Sequence, residues 1–139
     1  MAPRRLIVVD SSVWVDFFNG IDNEQVAELE SLIYRQEPVG LVELSMTEVL
    51  RGCVSEEEAD TAARKLLSFP LIEISSPNDH VRAAKLYRDA RSSGVTVKGS
   101  VDLLVASKCI EYDAFLLHKD KDFDNLARVS DLKIWNPAP

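Results

Sequence analysis

The chain has 139 residues, of which 46% are hydrophobic, and a formal net charge of −7; such a chain is typical of one compact domain, residues 1–139. No apolar run approaches the roughly 20 residues of a membrane span, and the start of the chain lacks the apolar core of a signal peptide, so we expect a cytoplasmic protein. The cysteines, Cys53 and Cys109, have no CxxC or histidine-pair spacing, which argues against a zinc site or a disulfide framework. We expect each to be a small buried apolar residue. The negative charge argues against nucleic acid, unless the acids surround a metal ion or a basic partner covers them.

Short apolar strands alternate with helices along the first half of the chain. The β-branched run 6–9 predicts a strand that is buried on both faces, and Asp10 ends it and begins a helix over 13–18. Gly20 closes that helix, and apolar residues at helical spacing predict another over 24–35. The next predicted elements are a strand over 39–43, helices over 45–51 and 55–68, and a strand over 71–74.

The same alternation continues in the second half. The predicted elements are helices over 78–93 and 101–112, a strand over 114–118, a short helix over 123–127 and a strand over 132–135. The last residues, 136–139, contain two prolines and are expected to be loose. Alternating strands and helices predict an α/β fold with a parallel sheet.

Four carboxylates are predicted to meet at one edge of that sheet. Asp10 follows the first strand, and Asp120 follows the strand over 114–118. Glu48 and Asp102 lie in the first turns of helices, which begin at the edge where parallel strands end. Oxygen ligands in this number suit Mg²⁺ or Mn²⁺, which retain several waters and bridge to substrate phosphates.

Each of these acids also has a purely structural interpretation. Glu48 stands three residues after a serine, which is the spacing of a capping box, and Asp10 could be an N-cap. Asp102 could be a first-turn acid favoured by the helix dipole, and Asp120 and Asp122 could be solvated turn residues. Capping alone does not require acids at the same edge each time, so their joint placement favours a site, although chance clustering among 23 acids stays open.

Four motifs contain these acids: VDSSVW over 9–14, TEVLRG over 47–52, VDLLVA over 101–106 and LHKDKDF over 117–123. In this order and spacing, the sequence resembles the PIN-domain ribonucleases, specifically the VapC-type toxins of type II toxin–antitoxin pairs, across residues 7–135. The resemblance implies a PIN-like three-layer α/β/α sandwich with a mainly parallel central sheet. It also implies a metal-dependent endoribonuclease, that is, a hydrolase of RNA phosphodiester bonds.

The resemblance implies four catalytic acids, namely Asp10, Glu48, Asp102 and Asp120. Asp10 and Asp102 match the family's direct metal ligands, and the expected ion is Mg²⁺, for which Mn²⁺ substitutes. Ser12 matches a hydroxyl residue that orients a ligand or a water. Asp122 competes with Asp120 for the fourth position, or else caps the helix that follows.

Other polar residues near the motifs have weaker support. Hydrolysis by a metal-activated water needs no histidine pair, so His80 is expected at the surface and His118 as a structural neighbour of the site. Four cations near the motifs could contact phosphates or be ordinary solvated charges: Arg51, Lys98, Lys119 and Lys121.

The resemblance further implies an RNA substrate, a homodimer and a cognate VapB-type antitoxin. A basic antitoxin tail would suit an acidic pocket, and apolar residues such as Trp14, Phe18 and Val26 could form a groove for an antitoxin helix. For Trp14 and Phe18, packing in the core is the other alternative. The alternative is a catalytically silent PIN-like module that binds protein or RNA. The chain has no P-loop and no GxGxxG motif, so nucleotide binding through those motifs has no support.

Overall fold

The structure, a computed structural model, describes residues 5–139, which contain five strands and seven α-helices. The strands are β1 (Ile7–Val9), β2 (Val39–Val42), β3 (Leu71–Ile72), β4 (Phe115–Leu117) and β5 (Lys133–Ile134). The helices are α1 (Ser11–Phe18), α2 (Glu24–Tyr34), α3 (Met46–Arg51), α4 (Glu56–Leu66), α5 (Pro77–Ser92), α6 (Ser100–Glu111) and α7 (Lys121–Arg128). A 3₁₀ turn, Glu43–Ser45, connects β2 to α3.

The elements occur in the predicted order, and the differences lie at their ends. Helix α1 begins at Ser11, two residues earlier than predicted, because Asp10 is the N-cap and its side chain accepts the N–H of Ser12. Helix α7 likewise begins at Lys121, because Asp120 is its N-cap. Strands β3 and β5 contain two residues each and are shorter than predicted.

All five strands are parallel, in the order β3-β2-β1-β4-β5. Strand β1 is central: Ile7 is in register with Val39 of β2 and with Phe115 of β4. The chain proceeds outward from β1 through β2 to β3 and then returns to β1's other side at β4. The carboxyl ends of β1 and β4 therefore flank a topological switch point, where ligands bind in open α/β sheets.

Helices cover both faces of the sheet, because alternate residues of each strand point to opposite sides. Ile7 and Val9 pack against α1 to α4 in one hydrophobic cluster. Val8 packs on the other face with residues of α5, α6 and α7. The α/β class and the PIN-like three-layer sandwich are both confirmed.

Aromatic packing fills the core on the α1 side. Trp14 is fully buried, and its ring centroid lies 5.1 Å from that of Phe69 and 6.0 Å from that of Phe18. Val26 is also buried. Of the two alternatives for Trp14, core packing and a partner groove, the structure shows core packing. Val26 is only 4% exposed and is also poorly placed to line a groove, whereas Phe18 is half-buried.

Two smaller predictions concern the cysteines and the tail. Cys109 is a buried free thiol, and burial raises its pKa to about 12, as expected of an inert core residue. Cys53 is free and half-buried. The backbone N–H of Ala138 donates to Glu28 at 3.4 Å, and the looseness of residues 136–139 stays a prediction. Over residues 5–139, no helix has the length and apolar character needed to cross a membrane.

Candidate active site

Asp10 lies at the carboxyl end of β1 and is the N-cap of α1, where Ser12 holds its side chain. Its Oδ2 accepts the backbone N–H of Ser12 at 3.1 Å and the Ser12 hydroxyl at 2.7 Å. Asp10 is only 5% exposed, and among residues 5–139 no donor binds its Oδ1. Ser12 therefore fixes one oxygen of Asp10, and the other oxygen has no partner in this part of the chain.

Glu48 is the third residue of α3, which follows β2 through the 3₁₀ turn. The side chain of Ser45 makes no capping hydrogen bond, so the alternative of a capping box with Glu48 is wrong. Oε1 of Glu48 is buried and has no hydrogen-bond partner among the described residues. An unsatisfied buried carboxylate oxygen is costly, so a water or a ligand is expected to pair with it.

Asp102 lies in the first turn of α6, and four other acids act on its carboxyl group. Burial and the negative charges of Asp10, Asp120, Glu48 and Asp122 raise the pKa of the Asp102 carboxyl to about 6. No lysine or arginine in residues 5–139 forms an ion pair with Asp102. The structure thus brings the five acids into one field of negative charge.

Asp120 and Asp122 differ in their local roles. Oδ1 of Asp120 accepts the backbone N–H of Asp122 at 2.9 Å, so Asp120 caps α7 and Asp122 lies in its first turn. The prediction that Asp122 caps this helix is therefore wrong. Asp120 also raises the pKa of Asp102 more strongly than Asp122 does. This order favours Asp120 as the fourth acid of the cluster.

The β4–α7 loop is anchored on two sides. His118, which is buried, accepts the Asp120 N–H at Nδ1 and contacts Asp124 through Nε2 at 3.0 Å. Lys119 forms an ion pair with Asp16 of α1. Neither Asp16 nor Asp124 was predicted from the sequence. For Asp16 the reason is distance, because no local motif relates it to a lysine 103 residues further along the chain.

The remaining polar candidates lie at the surface. His80 is exposed at the start of α5, as predicted. Arg51, Lys98 and Lys121 are exposed, and none forms an ion pair within residues 5–139. Lys119, by contrast, forms an ion pair with Asp16.

The described acids do not by themselves form a closed shell of metal ligands. In the described part of the chain, no group of three or more His, Cys, Asp or Glu side chains is arranged to hold a metal ion by itself. Mg²⁺, however, usually keeps several waters and takes only one or two carboxylates from the protein. The free oxygens of Asp10 and Glu48 and the unneutralised charge on Asp102 suit that mode of binding.

Comparison with known proteins identifies the family. The profile of the PIN domain matches residues 7–129. The chain belongs to the PIN-domain family. Two VapC proteins, VapC ribonuclease Mb1587 of Mycobacterium bovis and ribonuclease VapC11 of Mycobacterium tuberculosis, are each 30% identical to this PIN domain over 129 residues, which are 92% of this chain and 96% of the relative. The resemblance to VapC-type PIN domains is thereby confirmed.

Solved structures show the same fold at lower sequence identity. VapBC2 from Rickettsia felis, bound to a DNA fragment from its promoter, matches this PIN domain with a TM-score of 0.74 at 18% identity, covering 96% of this chain and 99% of that one. FitAcB from Neisseria gonorrhoeae has a TM-score of 0.72 at 20% identity, with coverages of 94% and 97%. VapC20 of M. tuberculosis, described as a sarcin–ricin loop cleaving toxin, has a TM-score of 0.69 at 18% identity, with coverages of 91% and 98%.

Proposed function

We propose that this PIN domain is a Mg²⁺-dependent endoribonuclease and the toxin of a toxin–antitoxin pair. The observation that carries the proposal is the convergence of five acids at one edge of the sheet, where burial and four neighbouring carboxylates raise the pKa of Asp102. A bound cation would relieve the repulsion among these carboxylates, and perturbed pKa values cluster at functional sites. The names of the VapC relatives, which are ribonucleases, support RNA as the substrate.

Asp10 and Asp102 would hold the ion. Ser12 holds one oxygen of the Asp10 carboxylate, which leaves the other oxygen to bind the ion. A bound Mg²⁺ would lower the pKa of a water and stabilise charge on the scissile phosphate. Glu48, through its unpartnered Oε1, would accept a hydrogen bond from the attacking water and orient it.

The reaction would be a hydrolysis. The water oxygen forms a bond to phosphorus in line with the 3′ oxygen, which leaves with a proton, so that the products carry a 5′-phosphate and a 3′-hydroxyl. No attack by the ribose 2′-hydroxyl is needed, and therefore no pair of histidines is needed. This agrees with the exposure of His80, and with the engagement of both ring nitrogens of His118 by Asp120 and Asp124.

Two features support the proposed partners: the acids around Asp102 and the solved structures that share this fold. VapBC2 and FitAcB are named as pairs, and we propose a cognate VapB-type antitoxin and a homodimeric toxin for this chain. A basic antitoxin segment would be attracted to the acids around Asp102, because complementary charge speeds and orients association.

One experiment tests the nuclease proposal. The purified chain, freed of any antitoxin, is incubated with transfer, ribosomal and messenger RNAs in Mg²⁺, in Mn²⁺ and in EDTA. We expect cleavage with either metal and none in EDTA, with a 5′-phosphate on the downstream product. Binding of RNA without cleavage in any metal would instead identify the catalytically silent binding module.

A further inference from the structure

A groove of about 560 Å³ lies beside the acid cluster, between α5 and residues 96–104. Its apolar floor is formed by Ala83, Val97, Leu103 and Leu104. Tyr87, which is half-buried, and Lys98, which is exposed, line it as well. The groove thus combines an aromatic ring, a cation and an apolar floor.

The groove meets the proposed active site at the start of α6. Ser100 and Leu103, which line the groove, belong to the same helical turn as Asp102. Gly99, immediately before that turn, lies so close to Asp102 that an added Cβ would come within 3.2 Å of its Oδ2. A chain lying in the groove would therefore reach the acids at this end.

The charge of the groove distinguishes it from the rest of the surface. The protein has 23 acidic and 16 basic residues, yet no carboxylate lines this groove. Three other grooves on the described surface each include at least one acid, such as Glu57, Asp89 or Asp113. A negatively charged polymer would meet less repulsion here than in those grooves.

The cations of α5 and of the segment that follows it differ in whether they are paired. Lys85 is paired with Asp89 at 2.6 Å, and Arg82 is paired with Asp79 and Glu111; both cations line a different groove. Lys98 forms no ion pair within residues 5–139, and neither does Arg91, which stands one helical turn beyond Tyr87 on the same helix face. Lys98 is therefore an unpaired cation that lines the groove, whereas the cations of the other groove are paired.

We infer that this groove binds single-stranded RNA on its way to the acid cluster, with Lys98 contacting a backbone phosphate and Tyr87 stacking on a base. An unpaired strand is specified because duplex bases are not available to an aromatic side chain. The inference rests on the proposed function, since it makes the groove the substrate's path to the acids.

The test measures binding and cleavage separately. Affinity for a short, fluorescent single-stranded RNA of mixed sequence is measured in Mg²⁺ over a range of salt, in an Asp102→Asn background that is designed not to cleave. Tyr87→Leu keeps an apolar side chain against the floor, Tyr87→Phe keeps the ring, and Lys98→Gln removes the charge. Lys85→Gln is the matched control, because Lys85 is an exposed lysine of the other groove.

Tyr87→Leu is expected to weaken binding about ten-fold, the effect of losing one stacked base, whereas Tyr87→Phe binds normally. Lys98→Gln is expected to reduce the slope of log affinity against log salt by about one, and Lys85→Gln leaves it unchanged. The same substitutions in the otherwise unaltered chain should raise KM for RNA cleavage more than they lower kcat.

Several results would overturn the inference. These are an Asp102→Asn parent that binds no RNA, variants that bind like the Lys85→Gln control, or variants that change the oligomeric state but not RNA affinity, which would make the groove a contact between protein chains. Cleavage by the unaltered chain distinguishes the two proposals. If it cleaves while the groove variants bind normally, only the groove fails; if it binds through the groove but never cleaves, only the nuclease fails.

Discussion

The backbone N–H of Asp120 donates to Nδ1 of His118 at 2.9 Å. Because Nδ1 accepts, the neutral ring carries its proton on Nε2, which donates to Asp124 Oδ1 at 3.0 Å. The ring also packs edge-on against Phe123, with 5.2 Å between ring centroids. The buried imidazole therefore helps to set the backbone position of Asp120, the residue that we propose as the fourth acid of the site.

Replacement of His118 should misplace Asp120 without removing any proposed catalytic group. We expect His118→Ala to reduce RNA cleavage on the order of ten- to a hundred-fold, because small displacements of a reacting group have effects of that size. His118→Asn, which retains an acceptor near the position of Nδ1, should recover much of the loss. Cleavage rates at saturating RNA measure the effect, and equal activity of the Ala and Asn variants would contradict it.

Asp10→Asn and Asp102→Asn should each abolish Mg²⁺-dependent cleavage, because an amide cannot supply the negative charge that holds the ion. Circular dichroism should show the fold unchanged, and Asp102→Asn should unfold at a higher temperature than the unaltered chain in EDTA. Asp60→Asn, at an exposed acid of α4, is the matched control and should retain full activity. Full activity in either of the first two variants would remove that residue from the site.

The stability of the metal-free protein should depend on the ionisation of Asp102. Its pKa is about 6 in the folded chain against 3.8 as the ordinary value, so between these pH values the folded state binds more protons than the unfolded state. The free energy of unfolding should therefore fall as pH rises through this window. After allowance for the partial exposure of Asp102, we expect a loss of roughly 1 kcal/mol.

Urea unfolding in EDTA between pH 4 and pH 7 measures this loss. Asp102→Asn should lack that component of the pH dependence, since it has no carboxyl to titrate. Adding Mg²⁺ at neutral pH should restore stability in the unaltered chain, because the ion neutralises the repulsion and binds only the folded state. The same dependence of unfolding free energy on pH in both proteins would show that the folded state does not raise the pKa of Asp102.

A buried ion pair joins α5 to α6 away from the proposed site. Nζ of Lys108 lies 2.9 Å from Oδ1 of Asp79, and both side chains are at most 3% exposed. The hydrogen bond from Lys108 lowers the pKa of Asp79 to about 2, so the pair's contribution to stability is present above about pH 4 and is lost as pH falls toward 2.

Lys108→Met should lower the melting temperature markedly at neutral pH, because it leaves a buried carboxylate without its main partner. Lys85→Met, which breaks the exposed pair with Asp89, should have little effect. Thermal unfolding of the two variants at pH 7 makes the comparison, and equal melting temperatures would show that the buried pair contributes nothing. RNA cleavage by the folded fraction of Lys108→Met should be normal.

The chain order of elements and the meeting of the acids were predictable from the sequence. The β-branched run at 6–9, the helical spacing of apolar residues and the Gly20 stop are local patterns, which act within one or two turns of chain. Parallel strands share one carboxyl edge, so residues directly after strands or at helix starts converge there. The sequence alone therefore predicted that Asp10, Glu48, Asp102 and Asp120 lie near one another, and their joint role as a site stays a prediction.

Only the tertiary structure decided which alternative each residue adopts. Asp120 and Asp122 both suit an N-cap by composition, and Asp120 takes the position where His118 also holds its N–H. Trp14 could have faced a partner or the core, and it lies in the core against Phe69. Pairs such as Trp135 with Glu28 and Lys119 with Asp16 join residues more than a hundred positions apart. Their meeting depends on how the sheet brings distant segments together, which no local sequence pattern encodes.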